Sequence, residues 1–383
     1  MIVHGQGAQI IGVIEYYYMK DMEIGISGSI LLYRLYDVAW DIDLVKVEEK
    51  VRDHKRRGID RKRFSKAFEF VNPPLSLTLK TFEKVLKGQP YTLNVYAKAY
   101  DYGVLSIIFE IPVNEMAVTE FQTITGNIEE LLSEDFAREL NRLVEDLGDA
   151  LQQINKSRFE EDYTIYYLRR LHPEMTAKEL IGACDIGGLL LNEAGERPPS
   201  AATKEELLAY SFSYSDSDLV VLSWDKALVL EPGGSMDIPD LLEFANAQLL
   251  ELRVYDDMLD RELDIINGRI IKQVSPSIWK IKRYEELAAK AMLTVTDLTN
   301  ITEKIDNSVK VTEDVYYARV YASALSLFKV HQWEASIERK INIASRVYDM
   351  LYRIISNKRT ELLEVVIVIL IALEIVLFVM HKA

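Results

Sequence analysis

Few residues in this chain of 383 are of a type and spacing that could do chemistry. The five histidines, His4, His54, His172, His331 and His381, are scattered, with no HExxH and no pair at ligand spacing, so no metal site is predicted. No GxxxxGK(S/T) or GxGxxG loop is present to cradle a phosphate, and no GxSxG elbow presents a nucleophile. Cys184 is the single cysteine and lies in the apolar stretch IGACDIGG. It reads as a packed core thiol, and being alone it excludes an intramolecular disulfide or a CxxC site. The chain therefore reads as a non-enzyme, with no catalytic residue and no cofactor predicted.

Two carboxylates and one basic run remain. Leu362 to Met380 reads LLEVVIVILIALEIVLFVM. A helix of this length is roughly 28 Å long at ~1.5 Å per residue, which matches the hydrocarbon core of a bilayer. Lys358 and Arg359 precede it, and His381 and Lys382 follow, where headgroups would lie. Glu364 sits at the entry. Glu374 lies ten residues further in, where a charged side chain costs about 2.5–3.5 kcal/mol on insertion scales. Three readings of Glu374 stay open: a silent protonated or snorkelling acid, a partner for another helix, or part of an ion or proton path. The basic run, Lys46 to Lys66, holds ten Lys/Arg against four Asp/Glu in a chain of net charge −15. Lys55, Arg56, Arg57, Arg61, Lys62 and Arg63 form its centre. It reads either as a solvated helix end and loop or as a docking patch for phosphate, RNA or anionic headgroups.

The elements that must position these residues follow from periodicity. Gln9 to Tyr18 and Ser29 to Tyr36 read as strands, and Asp41 to Arg56 as a helix. Tyr91 to Tyr100 and Val104 to Val113 predict a hairpin about Asp101-Tyr102-Gly103. Asn114 to Lys156 predicts one or two long amphipathic helices. Glu161 to Leu171 is a strand stopped by His172-Pro173, and Thr176 to Asn192 a helix followed by a surface loop at Gly195 to Ser200. Short strands are predicted at Ser211 to Tyr214, Leu219 to Trp224 and Ala227 to Leu230. The tyrosine clusters Tyr16–Tyr18 and Tyr163, Tyr166 and Tyr167 read as sheet packing.

From Ile238 the chain is nearly all helical: Leu241 to Gly268, Ile278 to Asp306, and Val311 to Asn357, the last running toward the apolar tail. Leu287, Ala291, Thr294, Leu298, Ile301, Ile305 and Ser308 alternate steps of four and three, as do Ile337, Ile341, Ala344, Tyr348, Leu351 and Ile355. These are heptad seams, with a turn expected at Asp306-Asn307-Ser308. Two alternatives stay open for them, packing of the hairpin on itself or joining of subunits. The fold class is α+β. A mixed α/β body spans 1–235, divisible at 156 and 157 into two subdomains. A helical stalk spans 236–357 and a transmembrane anchor 358–383.

Net charge argues against bulk nucleic-acid binding, and no DNA partner is expected. Met1 to Lys20 lacks a basic start followed by an apolar run, so no signal peptide is read there. That places the body in the cytoplasm and the anchor in the inner, cytoplasmic membrane.

The tail Leu363 to Ile375, with its Leu-Glu pair, bulky apolar run and second Glu, resembles the end of the required-for-meiotic-nuclear-division family. The block QLLELRVYDDMLDREL, Gln248 to Leu263, and the stretch Phe212 to Leu230 resemble it too. The likeness spans about residues 212–375, and Val365 stands where many members carry Trp. It implies a membrane protein that forms large assemblies; mitochondrial relatives sit in the inner membrane and support translation. It carries over Glu364 and Glu374 alone. The expected function is a tail-anchored scaffold that self-associates through stalk and anchor and offers a cytoplasmic binding surface. The alternatives are a ligand sensor and a ribosome or RNA tether.

Overall fold

The computed structural model describes residues 24–53, 58–59, 68–70, 72–154, 159–191, 199–270, six helical residues between 285 and 296, 309–311 and 314–382. The expected strand Gln9 to Tyr18, the basic centre from Lys55 to Arg63 apart from Gly58 and Ile59, the first heptad seam and its turn lie outside these residues.

The first of two compact units comprises Met1–Glu251 and Asn307–Val330. It is built on a nine-stranded sheet in the order β10-β11-β12-β9-β1-β7-β6-β5-β3. The members are β1 (Gly25–Asp37), β3 (Gly58–Ile59), β5 (Leu75–Leu86), β6 (Gln89–Ala99), β7 (Val104–Ala117), β9 (Glu160–His172), β10 (Ser211–Phe212), β11 (Leu219–Leu222) and β12 (Lys226–Leu230). All neighbours are antiparallel except β12 and β9. The pairs β2 (Ala39–Ile42) with β8 (Leu151–Ile154) and β4 (Phe68–Phe70) with β13 (Val309–Val311) stand outside it.

The centre of β1 reads ILLYRLY and is buried along its length. Successive side chains on a strand point to opposite faces, so an unbroken run of buried residues means that both faces are covered. One face carries Ile30, Leu32, Phe109 and Tyr166 and packs against Phe121, Phe136 and Leu143. Phe121 belongs to α2 (Val118–Thr125), and Phe136 and Leu143 to α4 (Ser133–Leu147); between them α3 (Ile128–Leu131) adds Ile128, and α1 (Leu44–Asp53) precedes all three in the chain. The Phe109 and Phe136 rings stack at 4.1 Å. The other face carries Leu31, Tyr33, Leu35 and Tyr163, all buried. Helices α8 (Asp237–Ile270), through Glu251, and α9 (Val315–Leu327) belong to the same unit. Tyr163 meets Phe328 edge-on at 5.5 Å, and Tyr100 lies 6.4 Å from Phe244.

The hairpin expected about Asp101-Tyr102-Gly103 is formed by β6 and β7. Gly103 has φ of +104°, and a Cβ there would lie 1.9 Å from the Ala39 carbonyl oxygen, so only glycine fits this turn. Several expectations are corrected. β7 runs on to Ala117, and the expected long helices from Asn114 to Lys156 are three shorter ones followed by a 3-10 turn and β8. The helix expected over Thr176 to Asn192 is two, α5 (Ala177–Ala183) and α6 (Ile186–Leu190). Cys184 ends the first, and Asp185 caps the second by accepting from the Gly188 amide. Of the expected surface loop, residues 195–198 lie outside the described residues, and Ser200 at its end caps α7 (Ala201–Leu208). The sheet does not divide at residue 156, because β9 pairs along its length with β1. The helical stalk does not begin at 236 either, since residues up to Glu251 and from Asn307 to Val330 belong to the sheet unit.

The second unit comprises Leu252–Asp306 and His331–Ala383. Its main element is α10 (Val330–Lys382), 53 residues long. No Gly or Pro interrupts it, and at ~1.5 Å per residue it is roughly 80 Å long. A break precedes it at Lys329, where φ is +56°, so the expected helix Val311 to Asn357 is α9 and α10. Within this unit Lys340 Nζ bridges Asp256 Oδ1 at 2.8 Å and Asp260 Oδ1 at 2.6 Å.

Candidate functional site: a closed polar cluster and an exposed apolar helix

Each of the two units holds charge among apolar side chains. In the sheet unit, Lys98 ends β6 on the face that carries Tyr96 and Asn94. The alternation of this strand predicts that face to be polar, and α8 covers its end. Lys98 Nζ donates to Asp240 Oδ1 at 2.7 Å and to Glu243 Oε2 at 2.5 Å. The two acids are three residues apart and share one side of α8. The Glu243 side chain is fully buried. Burial pushes its carboxyl above the usual range, against the pull of Lys98 and with the push of Asp240. Burial alone would lower Lys98, but Asp240 and Glu243 outweigh it and hold the ammonium well above its ordinary value. Burial also raises Tyr33, Tyr100 and Tyr102, aided by nearby carboxylates. The Tyr102 hydroxyl is buried without a hydrogen-bond partner among the described residues.

Further polar contacts fasten the same helices. Tyr321 of α9 donates to Gln248 of α8 at 2.5 Å, and Tyr317 donates to Asp237 at 3.2 Å. Asp218 accepts from the Tyr214 amide at 2.8 Å and from the Tyr316 hydroxyl at 3.3 Å. On the opposite face Lys80 pairs with Glu139 at 2.5 Å and Lys84 with Asp135. Among the described residues no group of three or more His, Cys, Asp or Glu is placed to hold a metal. Cys184 is half-buried, and burial raises its thiol, which makes it a poor nucleophile.

In the second unit, the C-terminal part of α10 is long and apolar enough to cross a membrane. From Leu362 to Met380 its side chains are exposed. Glu364 and Glu374 are exposed too and make no hydrogen bond or ion pair with any described residue. Upstream the same helix is different. Ile337, Ala344 and Ile355 of the expected seam are buried within the single chain, and Ile341 and Tyr348 are half-buried. The side chain of Leu351 lies outside the described residues, as do Lys55, Arg56, Arg57, Arg61, Lys62 and Arg63.

The Lys98–Asp240–Glu243 cluster is what sequence reasoning missed. Its signal was present: α8 places Glu243, Asn246, Gln248 and Glu251 in an otherwise apolar run, and all four are buried. A sequence does not say which strand lysine meets them.

This chain is similar to Uncharacterized protein MJ0711 of Methanocaldococcus jannaschii, at 29% identity over 245 residues, which cover 62% of this chain and 73% of that protein. No solved structure matches. The family model described as Uncharacterized protein MJ0711, N-terminal domain, matches residues 27–237, from β1 to the first residue of α8. With more than half of its length matched, the chain belongs to this MJ0711 N-terminal domain family.

Proposed function

We propose that this chain is a non-enzymatic, tail-anchored membrane scaffold. The C-terminal part of α10 inserts in the bilayer, copies associate, and the α+β body offers a binding surface to a cytoplasmic partner. The observation that carries the reading is the character of α10: one unbroken helix whose last third is apolar apart from Glu374 and the terminal His381 and Lys382, and exposed on every side. A core helix would be buried, and a surface helix would show a polar stripe along its length. The likeness of the tail to the required-for-meiotic-nuclear-division family belongs to the same reading, as does placement of the body on the cytoplasmic side of the inner membrane.

Membranes from cells making the full chain test it. The chain is expected to resist alkaline carbonate extraction, and external protease is expected to digest the body in inverted vesicles and spare it in right-side-out ones. Release by carbonate would remove the anchor, and protection in inverted vesicles would reverse the topology. A monomeric particle in mild detergent and in vesicles would remove self-association.

A second reading, a ligand sensor, is favoured by the buried Tyr102 hydroxyl, which has no partner among the described residues. Buried polar atoms are ordinarily satisfied. A thermal-shift screen of nucleotides and metabolites tests it, since a ligand at ~100 times its dissociation constant stabilises by about 2.7 kcal/mol. No shift across the screen would count against it.

A further inference from the structure

The polar residues of the apolar tail are not scattered around the helix. Between Leu362 and His381 they are Glu364, Glu374 and His381. Together with Ile367, Ile371 and Phe378 they step by 3, 4, 3, 4 and 3 along α10. They therefore share one stripe. The buried stalk residues Ile337, Ala344 and Ile355 define another direction on the same unbroken helix. At ~100° per residue the centres of the two are roughly 130° apart. Three of the six seam positions, Ile337, Ala344 and Ile355, are already covered within one chain, while the stripe in the tail points elsewhere and its two carboxyl groups meet no described residue.

A bilayer does not satisfy a carboxyl group, so a second helix is the chemistry that would. The occupant that best fits is another copy of this chain. Copies inserted in one orientation necessarily carry Glu374 at one depth. A protonated carboxyl both donates and accepts, so Glu374 is complementary to itself across a two-fold axis. We infer that the stripe Glu364–Ile367–Ile371–Glu374 is a homotypic contact in the membrane, with facing Glu374 side chains hydrogen-bonded, and that the stalk seam takes no part in joining copies. This rests on the proposed anchoring and narrows the proposed self-association to one face of one segment.

Disulfide scanning of the full chain in phosphatidylcholine vesicles tests it. In a Cys184→Ser background, single cysteines are placed at Ile367 and Ile371 on the stripe and at Ile369 and Val376 on the opposite side. Two cysteines are bridged only when their Cα atoms come within about 7 Å, so the stripe positions are expected to cross-link at least about fivefold more than the others. Glu374→Leu is expected to abolish that preference at Ile371, and Glu374→Gln, which still donates and accepts, to keep most of it. Equal cross-linking around the helix, a preference for Ile369 and Val376, or an unchanged pattern in Glu374→Leu would each overturn the inference. Carbonate extraction of the same samples separates the two levels. A chain that is not membrane-embedded removes the anchoring reading, whereas an embedded chain without the stripe pattern removes only this contact.

Discussion

Glu243 and Glu374 are both carboxylates set among apolar side chains, and the chain treats them in opposite ways. Glu243 sits on α8 with a lysine and a second acid within reach, and its side chain is fully buried. Glu374 sits on α10 with no partner among the described residues and is exposed. A buried charge is tolerated only when paired, because the desolvation cost of an isolated ion is several kcal/mol. The body therefore closes on its own charges. In the proposed reading the tail leaves one for its surroundings to complete. Conserving a fold and offering a contact place different demands on the same residue type.

The contrast is broken most strongly from the Lys98 side. Lys98→Met leaves Asp240 and Glu243 facing each other without a cation, and is expected to destabilise the solubilised chain by about 3–5 kcal/mol in denaturant unfolding. The sign of the pH effect follows from Glu243. Its carboxyl is already raised from 4.5, and losing Lys98 raises it further. A folded state that holds a proton more tightly than the unfolded one loses stability as pH rises above the unfolded value. The deficit of the variant is therefore expected to shrink as pH falls from neutrality toward 4.5. A deficit that grows on acidification would remove Glu243 from the account.

Next in size is a comparison along α10. Ile337→Ala removes a buried side chain and is expected to cost about 2–5 kcal/mol. Ile371→Ala, in the exposed tail, is expected to leave the unfolding midpoint unchanged. Equal losses would mean that the tail packs inside the folded chain.

Glu374→Leu is expected to leave body stability unchanged but to favour membrane insertion by about 2.5–3.5 kcal/mol, read in a translocon insertion assay. An unchanged insertion efficiency would place this residue outside the hydrocarbon. The smallest effect is expected at Lys340, which bridges Asp256 and Asp260 near the surface of the second unit. Lys340→Ala should cost about 1 kcal/mol or less, and the loss should diminish in high salt. A larger, salt-independent loss would make that bridge a buried one.

Several strands were legible because their residues carry their own signal. The alternation of Leu93, Val95 and Ala97 with Asn94, Tyr96 and Lys98, followed by a turn containing Gly103, defines β6 and β7 from local chemistry alone. β5 was not legible. Its LSLTLKTFEKVL exposes polar residues toward solvent, and Lys80 and Lys84 turn to acids on α4 that lie more than fifty residues away in the chain. The break between α5 and α6 was hidden for a similar reason, since the Asp185 cap competes locally with a continuous apolar pattern.

The sequence alone determined the composition and length of the apolar tail, the heptad spacing upstream of it and the absence of a helix breaker between Val330 and Lys382. These are local properties, readable because a helix repeats every few residues. The tertiary structure alone decided which acids meet Lys98, that β9 joins β1 in one sheet, and that Ile337, Ala344 and Ile355 are covered within a single chain. Each of those depends on contacts between segments far apart in sequence, and neither composition nor periodicity fixes which distant segments meet.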